Sequence, residues 1–358
     1  MSLSNSTKIK LTDQQRWVLY QLVSGVKEKK LEKQTLGGFA GTGKTSVIKY
    51  LTKFLPKFSV VAYTGKAANI LRKKGIDAKT IHSKIYQPFF NDEKVYFDLS
   101  LDIDCEGFIV DEASMVSQEI YDDLKSFGLP MIFVGDHGQL EPIESKLNLM
   151  EKPDYTLEKI HRNAGDIAKF ASHLRGGFSS RGFKVEDGSV DFLSGRNIGA
   201  EQLIEVDQVI CAFNKTRVET NSQIRSFLGF EGIVNVGERV MCLKNDNVNK
   251  LFNGMQGIVR NLYKKKTRYY MDFEFDGTLI KDICYSPTNF GQEVYNIKHG
   301  KNTPIPFDYA YCITAHKAQG DEWNKVLVIE QRCKNWDHKR WAYTAASRAK
   351  ENLFWKIA

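Results

Sequence analysis

Three short stretches carry residue types at spacings that suit phosphate chemistry. Residues 38–45 read GFAGTGKT, which fits G-x-x-x-x-G-K-[ST] between a strand-like run, TLGGF, and a helix-like one, TSVIKYLTKFL. In that setting Gly38, Gly41 and Gly43 let backbone amides close around phosphate oxygens, with Thr42 and Ser46 in the same cradle. Lys44 reaches the outer phosphates, and Thr45 offers a hydroxyl to Mg²⁺. FIVDEAS places Asp111 and Glu112 at the end of an apolar strand. Asp111 suits the Mg²⁺ shell, and Glu112 suits orienting and deprotonating an attacking water; an acidic strand end that caps a helix is the plainer alternative. VGDHGQL ends the next strand with Asp136 and Gln139, where Gln139 can sense a terminal phosphate or simply occupy a turn. Together the three stretches point to nucleotide hydrolysis.

Those residues need elements that bring them to one edge. TLGGF, SVVAY, GFIVDE and MIFVGD read as strands alternating with helix-like stretches. That pattern predicts a parallel sheet with ligand sites at the carboxyl ends of its strands. A second set, QVICAF, KVLVIE and NLFWKI, predicts a further α/β unit. Between residues 239 and 306 the texture turns to β alternation, with an Asp276-Gly277 hairpin signal. A shorter irregular stretch, KIYQPFFNDEKVYFDLSLDID, interrupts the first unit and suits a hairpin.

A length of 358 residues suggests two or three domains, and 42% hydrophobic with 26% charged residues is ordinary globular composition. No apolar run is long enough for a membrane span, and MSLSNSTKIKLTDQQ lacks an apolar signal core, so a cytoplasmic protein is expected. The six cysteines, Cys105, Cys211, Cys242, Cys284, Cys312 and Cys333, show no metal-ligand spacing and read as reduced. The net charge of +8, with basic clusters RKK (residues 72–74) and KKKTR (residues 264–268), allows a polyanionic partner or a solvated basic face.

In its order of motifs, from LTDQQ to YTAASRAK, nearly the whole chain resembles superfamily 1 helicases of the RecD/Dda type, which move 5′ to 3′ on single-stranded DNA. The resemblance implies an α/β fold with two recA-like P-loop domains of parallel sheets. Residues 1–150 would form the first, with a pin-type hairpin insertion at 84–105. Residues 151–240 and 306–358 would form the second, with an SH3-like all-β insertion at 241–305. It implies ATP and Mg²⁺ between the domains, adenine read by Gln15 (or neighbouring Gln14), and two arginines, Arg162 in EKIHRNAG and Arg348 in YTAASRAK, reaching the phosphates; without the resemblance either would read as a surface arginine.

For DNA the resemblance nominates Thr64, Thr80, His82 and Asn214 as backbone contacts, although each also suits a local cap. Phe97 best matches the wedge of the pin, with Phe89 and Phe90 as rivals and a core aromatic as the plain reading. The loop TAHKAQGDEW supplies Thr314, His316 and Lys317 toward DNA, and Gln319 and Gly320 toward the nucleotide. The implied partners are single-stranded and forked duplex DNA, with replication or recombination proteins, for a monomer of a bacterial or phage-infected cell. A translocase without efficient unwinding, a nucleotide-switched DNA-binding module and a small-molecule kinase are the competing classes.

Overall fold

A computed structural model describes residues 11–28, 30–91, 94–141, 147–159, 165–193, 198–246, 249–298, 303–334 and 336–357, with the side chains of residues 88–97 outside that description. The first part of the chain runs α1 (Asp13–Lys27), β1 (Lys33–Gly38), α2 (Lys44–Phe54), β2 (Phe58–Ala62), α3 (Gly65–Lys73), β3 (Ala78–Thr80) and α4 (Ile81–Ile85). A hairpin of β4 (Tyr86–Asn91) and β5 (Lys94–Leu99) follows, then β6 (Gly107–Asp111), α5 (Gln118–Ser126), β7 (Met131–Gly135) and β8 (Tyr155–Leu157).

Six of these strands form a parallel sheet in the order β3-β2-β6-β7-β1-β8. The apolar runs recognised in the sequence are its central strands, buried because helices cover both faces. Val47, Ile48 and Leu51 of α2 face one side, at the spacing that defines an amphipathic helix. The expected boundary at residue 150 is too early: β8 pairs with β1 at the edge of this sheet, so the first unit continues at least to Leu157. Three residues are too few to announce a strand by alternation.

The remainder contains β9 (Val190–Phe192), β10 (Gln208–Cys211), β11 (Arg239–Cys242), β12 (Gln256–Lys265), β13 (Arg268–Phe275), β14 (Thr278–Ser286), β15 (Ile305–Tyr309), β16 (Cys312–Thr314), β17 (Trp323–Ile329) and β18 (Ala349–Lys356). Its helices are α6 (Asp166–Arg175), α7 (Ala200–Ile204), α8 (Asn214–Phe227) and α9 (His338–Ala346). A second parallel sheet has the order β16-β10-β17-β18-β9.

Strands β11 to β15 close a five-stranded barrel around Val259, Met271, Phe273 and Phe307. The Asp276-Gly277 turn joins β13 to β14 with both residues at positive φ, 53° and 74°, as the hairpin signal required. The barrel strands run slightly beyond the expected 241–305, because the run DYAYCI is shared: its first two residues end β15, and the chain passes through Ala310 and Tyr311 into β16 of the sheet. All six cysteines are free thiols. Among the described residues no helix is long and apolar enough to cross a membrane.

Two buried ion pairs fix the barrel to the second sheet. Arg217 of α8, fully buried, binds Asp308 of β15, and Asp308 also accepts from Tyr295 Oη at 2.9 Å and Gly291 N at 2.7 Å. Arg225 of α8 binds Glu238, just before β11, at 2.5 Å.

Within the second unit Glu330, at the end of β17, accepts from Ser180 Oγ (2.7 Å), Trp355 Nε1 (2.9 Å) and His338 Nε2 (3.1 Å). Burial opposes its charge, but the donors from His338, Trp355 and Ser180 prevail and hold the carboxyl down at about 2. Because the folded value lies below the unfolded value of about 4.3, this stabilisation is complete above that pH and is lost as pH falls toward 2. Glu330→Gln is therefore expected to lower stability near pH 7 by about 3 kcal/mol, and to flatten the acid limb of a melting-temperature profile between pH 4.5 and 2. An unchanged acid limb would refute this role.

Candidate nucleotide cleft and nucleic-acid channel

The loop from Gly38 to Lys44 turns from β1 into α2 through Gly41 and Gly43 at φ 80° and 87°, a left-handed backbone that glycine adopts without strain. Lys44 opens α2, and its Nζ donates to the carbonyls of Gly38 (2.6 Å) and Phe39 (3.0 Å) while lying 3.9 Å from Asp136. Thr42 Oγ1 donates to Phe39 O at 2.9 Å, and Thr45 and Ser46 lie in the first turn of α2. Gln15 is buried against this loop: its Oε1 accepts from Thr12 N, capping α1, and its Nε2 donates to Thr42 O at 2.9 Å. Gln14 instead reaches β8, at Thr156 O. The amide proposed for adenine is thus fixed at the P-loop by its own helix cap.

Asp111 and Glu112 sit at the end of β6, with Glu112 in a left-handed backbone conformation at φ 55°. Burial pushes both carboxyls up; for Glu112 burial and the neighbouring Asp111 carry it to about 7, against the opposing cations Lys44 and Arg348. Lys74, from the RKK cluster, approaches Thr45 Oγ1 at 3.4 Å and also faces Asp111. Its cation therefore lies at the same corner as the two oxygens expected to meet Mg²⁺.

The facing wall comes from the second sheet. A Cβ on Gly320 would lie 3.9 Å from Glu112 Oε1, so the TAHKAQG loop directly opposes the acid pair. Gln319 Nε2 donates to Leu140 O at 3.3 Å. Arg348 is buried with its guanidinium on Thr344 O, Asp321 O and Ser347 Oγ. Its charge reaches Glu112, while its donors are held by its own domain. Arg162 lies outside the described residues.

Sequence reasoning missed the groups that cross this cleft. Tyr343 of α9 donates to buried Asp136 at 2.9 Å and accepts from Ala40 N of the P-loop at 3.0 Å. Thr344 Oγ1 accepts from Leu140 N, and Arg340 donates to Gln139 O at 3.1 Å. Arg175, at the end of α6, stacks its guanidinium 3.7 Å from the Phe39 ring centre. Lys66 of α3 pairs with Asp321 across the same gap. Gln139 turns its Nε2 onto Asp136 at 3.2 Å, leaving its Oε1 buried without a protein partner among the described residues. The one signal available was a phenol and a hydroxyl inside the otherwise apolar run WAYTAA.

A groove of about 430 Å³ gathers Thr64, Lys66, His82, His316, Lys317 and Gln319 between the two sheets, with Asn253 and Gly254 of the barrel on its rim. Lys317 Nζ donates to Asn253 Oδ1 at 2.9 Å, and burial lowers the proton affinity of both Lys317 and His316. Thr64 and Thr80 each cap a helix, α3 and α4, through their hydroxyls, and Asn214 holds Arg217. Thr80, Asn214 and Thr314 are not among the groove residues. Phe97 is in β5 opposite Pro88, but its side chain, like those of Phe89 and Phe90, is outside the described set.

Comparison with known proteins adds lineage to this geometry. A family model described as an AAA domain matches residues 10–192, just over half of the chain, and one described as a UvrD-like helicase C-terminal domain matches residues 309–354. The chain is 28% identical to the ATP-dependent RecD2 DNA helicase of Deinococcus radiodurans, over 90% of its own length and 47% of that protein. It is also 28% identical to the ATP-dependent DNA helicase dda of Enterobacteria phage T4, over 60% of the chain and 56% of that protein. The chain thus spans about half the length of these relatives. In fold it matches Pif1 from Bacteroides bound to ssDNA (TM-score 0.62, 21% identity, 97% of this chain and 92% of that one) and Pif1 from Candida albicans (0.60, 22%, 98% and 94%).

The raised Glu112 carboxyl has a measurable sign. In the nucleotide-free protein the folded state retains a proton that the unfolded chain releases near pH 4.3, so stability falls as pH rises from there to about 7. Glu112→Gln is expected to reduce that fall in a melting-temperature series over pH 4.5–7.5. A series parallel to wild type would show that Glu112 titrates normally.

Proposed function

Since the chain belongs to the AAA domain family, among superfamily 1 helicases of the RecD/Dda type, we propose that it is an ATP-dependent DNA helicase that moves 5′ to 3′ on a single strand and separates duplex DNA. The observation that supports this most is the composition of one cleft. The P-loop and acid pair of the first sheet face Gly320 and the Arg348 charge of the second, while the TAHKAQG loop also lines the groove between the sheets.

In this reading Lys44 leaves the Gly38 and Phe39 carbonyls for the outer phosphates, and the N-terminus of α2 adds its positive potential. Glu112, once ionised, takes the proton of the attacking water. Gln139, with an unpaired Oε1 beside Asp136, is positioned to orient that water. Thr45 and Asp111 would hold Mg²⁺: both present the hard oxygens that this ion prefers, and Asp111 is a half-buried carboxylate whose proton affinity its surroundings raise against the pull of Lys44 and Lys74. When bound, the ion screens charge developing on the phosphate oxygens. Arg348, and Arg162 by resemblance, supply cations from the second domain, and Arg175 joins them as a cleft arginine found only in three dimensions. Gln15 serves the base side of the P-loop.

The groove suits a DNA backbone. His316, held neutral by its surroundings, and the hydroxyl of Thr64 recognise phosphate and sugar without reading sequence, with His82, Lys66 and Lys317 beside them. Thr80, Asn214 and Thr314, outside the groove lining, are assigned to the DNA path by the resemblance alone. The five-stranded barrel acts as the SH3-like cover of the channel, and the β4–β5 hairpin acts as the pin, with Phe97 as its wedge. Motor and wedge are separate parts, so they can be disabled separately.

Lys44→Ala is expected to reduce ssDNA-stimulated phosphate release and unwinding at least a hundredfold, because an unmatched site no longer gathers phosphate charge. The deciding assay is unwinding of forks carrying a tail of one polarity only; separation of 3′-tailed but not 5′-tailed forks would overturn the assigned direction. Phe97→Ala is expected to keep ssDNA-stimulated ATP hydrolysis within about twofold of wild type while strand separation drops about tenfold or more. Equal loss of both would remove Phe97 from the pin.

A further inference from the structure

The KKKTR cluster lies apart from the cleft and the groove, at a site of its own. Residues 264–268 form the tip of the β12–β13 hairpin, where Lys265 pairs with Arg268 across the turn and Lys266 takes a positive φ of 54°. The channel rim, Asn253 and Gly254, lies at the other end of β12. Ten residues of strand span about 30 Å at roughly 3.3 Å each, so the tip stands well outside the groove. It also points away from the first sheet. The opposite end of β13 carries Asp276, which pairs with Lys73 of α3.

Side-chain contacts at the tip show which groups are available. Tyr263 and Tyr270 stack on each other at 5.6 Å with an interplanar angle of 7°, and Lys265 Nζ lies 5.0 Å from both rings. Asp282 binds Tyr263 Oη and Lys265 Nζ, the latter at 2.8 Å. Lys264 rests over Tyr269 at 5.2 Å, with its ammonium exposed. Lys266 and Arg268 are exposed and have no ion pair among the described residues. The nearby carboxylates are Asp282, already engaged, and Asp272, which accepts from Asp282 N at 3.0 Å. The tyrosines therefore support the hairpin through each other, and three cations project from a rigid stem. That is a phosphate reader more than a base-stacking platform, which needs free ring faces.

We propose that the β12–β13 hairpin tip, through Lys264, Lys266 and Arg268, docks on the phosphate backbone of the duplex arm of a DNA fork, as a second DNA site outside the channel. The inference rests on the helicase reading for the presence of a fork at the channel. Duplex DNA suits the tip because its phosphates present about one negative charge per 1.7 Å of axis on a stiff rod, matching a cluster of exposed cations that read no base.

The test compares wild type with the combined variant Lys264→Ala, Lys266→Ala and Arg268→Ala, which leaves the Tyr263–Lys265–Asp282 contacts intact; an unchanged melting temperature reports a preserved barrel. Fluorescence anisotropy would follow binding to a single-stranded tail alone and to the same tail joined to a 20-base-pair arm. The expected result is unchanged tail binding, fork binding weakened about tenfold or more, and a fork salt slope smaller by about 2 to 3, near 0.9 per lost phosphate contact. Equal weakening on tail and fork would make the tip a single-strand surface and overturn the proposal. No change on either would also overturn it, and would favour a solvated face or an acidic protein as its partner. Failure of wild type to bind even the tail would instead bring down the helicase reading itself.

Discussion

The structure depends on one buried carboxylate. Asp136 is 1% exposed, and an unpaired charge there would be too costly to keep. Its needs are met from three directions: Gly138 N and Gln139 Nε2 from its own strand end, Lys44 from the P-loop, and Tyr343 from the second sheet. Because Tyr343 also accepts from Ala40 N, the phosphate loop, the end of β7 and helix α9 share one hydrogen-bonded network. The geometry of the phosphate loop is thereby set partly by the opposite domain. A polyanion that draws Lys44 away from its carbonyls changes the electrostatics at Asp136, and hence the strength of the Tyr343 contact. A nucleotide can shift a domain equilibrium only through such unequal interactions with its states.

The TAHKAQG loop extends that network to the groove. Within four residues, Lys317 to Gly320, it bonds the barrel through Lys317 and Asn253 and the first sheet through Gln319 and Leu140, and brings the bare backbone of Gly320 opposite Glu112. A loop without reactive groups of its own is thus placed where a movement of the second sheet is felt by all three. Its polar side chains follow from that position: an apolar residue could fill the gap but could not make the hydrogen bonds to Asn253 and Leu140.

Local chemistry was legible in the sequence, and contacts between distant segments were not. The P-loop, the Asp111-Glu112 strand end and the Asp276-Gly277 turn each depend on neighbours a few residues away, so their spacing reveals them. Tyr343, Arg340, Arg175 and Lys66 matter because topology brings α9, α6 and α3 to one cleft, and no local spacing encodes that. β8 escaped for a different reason: three residues pair with β1 without enough length for a periodic signal. Gln15 shows how one residue satisfies two descriptions, since its amide closes a capping box and simultaneously braces Thr42.

The distribution of buried charge separates rigid joints from compliant ones. Barrel and second sheet are joined by Arg217–Asp308 and Arg225–Glu238, and breaking a buried pair of this kind costs about 3–5 kcal/mol. The two sheets meet through Tyr343–Asp136, Thr344–Leu140, Gln319–Leu140 and the Lys66–Asp321 pair. The neutral hydrogen bonds among these contribute about 1 kcal/mol each and the one from Tyr343 to the Asp136 carboxylate about 1.5–3 kcal/mol, while Lys66–Asp321, with its carboxylate buried, is a joint of the same kind as those that hold the barrel. The outer contact of the barrel with the first sheet, Lys73–Asp276, is half exposed on both sides, in the range where an ion pair adds about 0–1 kcal/mol. The barrel is therefore joined far more firmly to the second sheet than to the first.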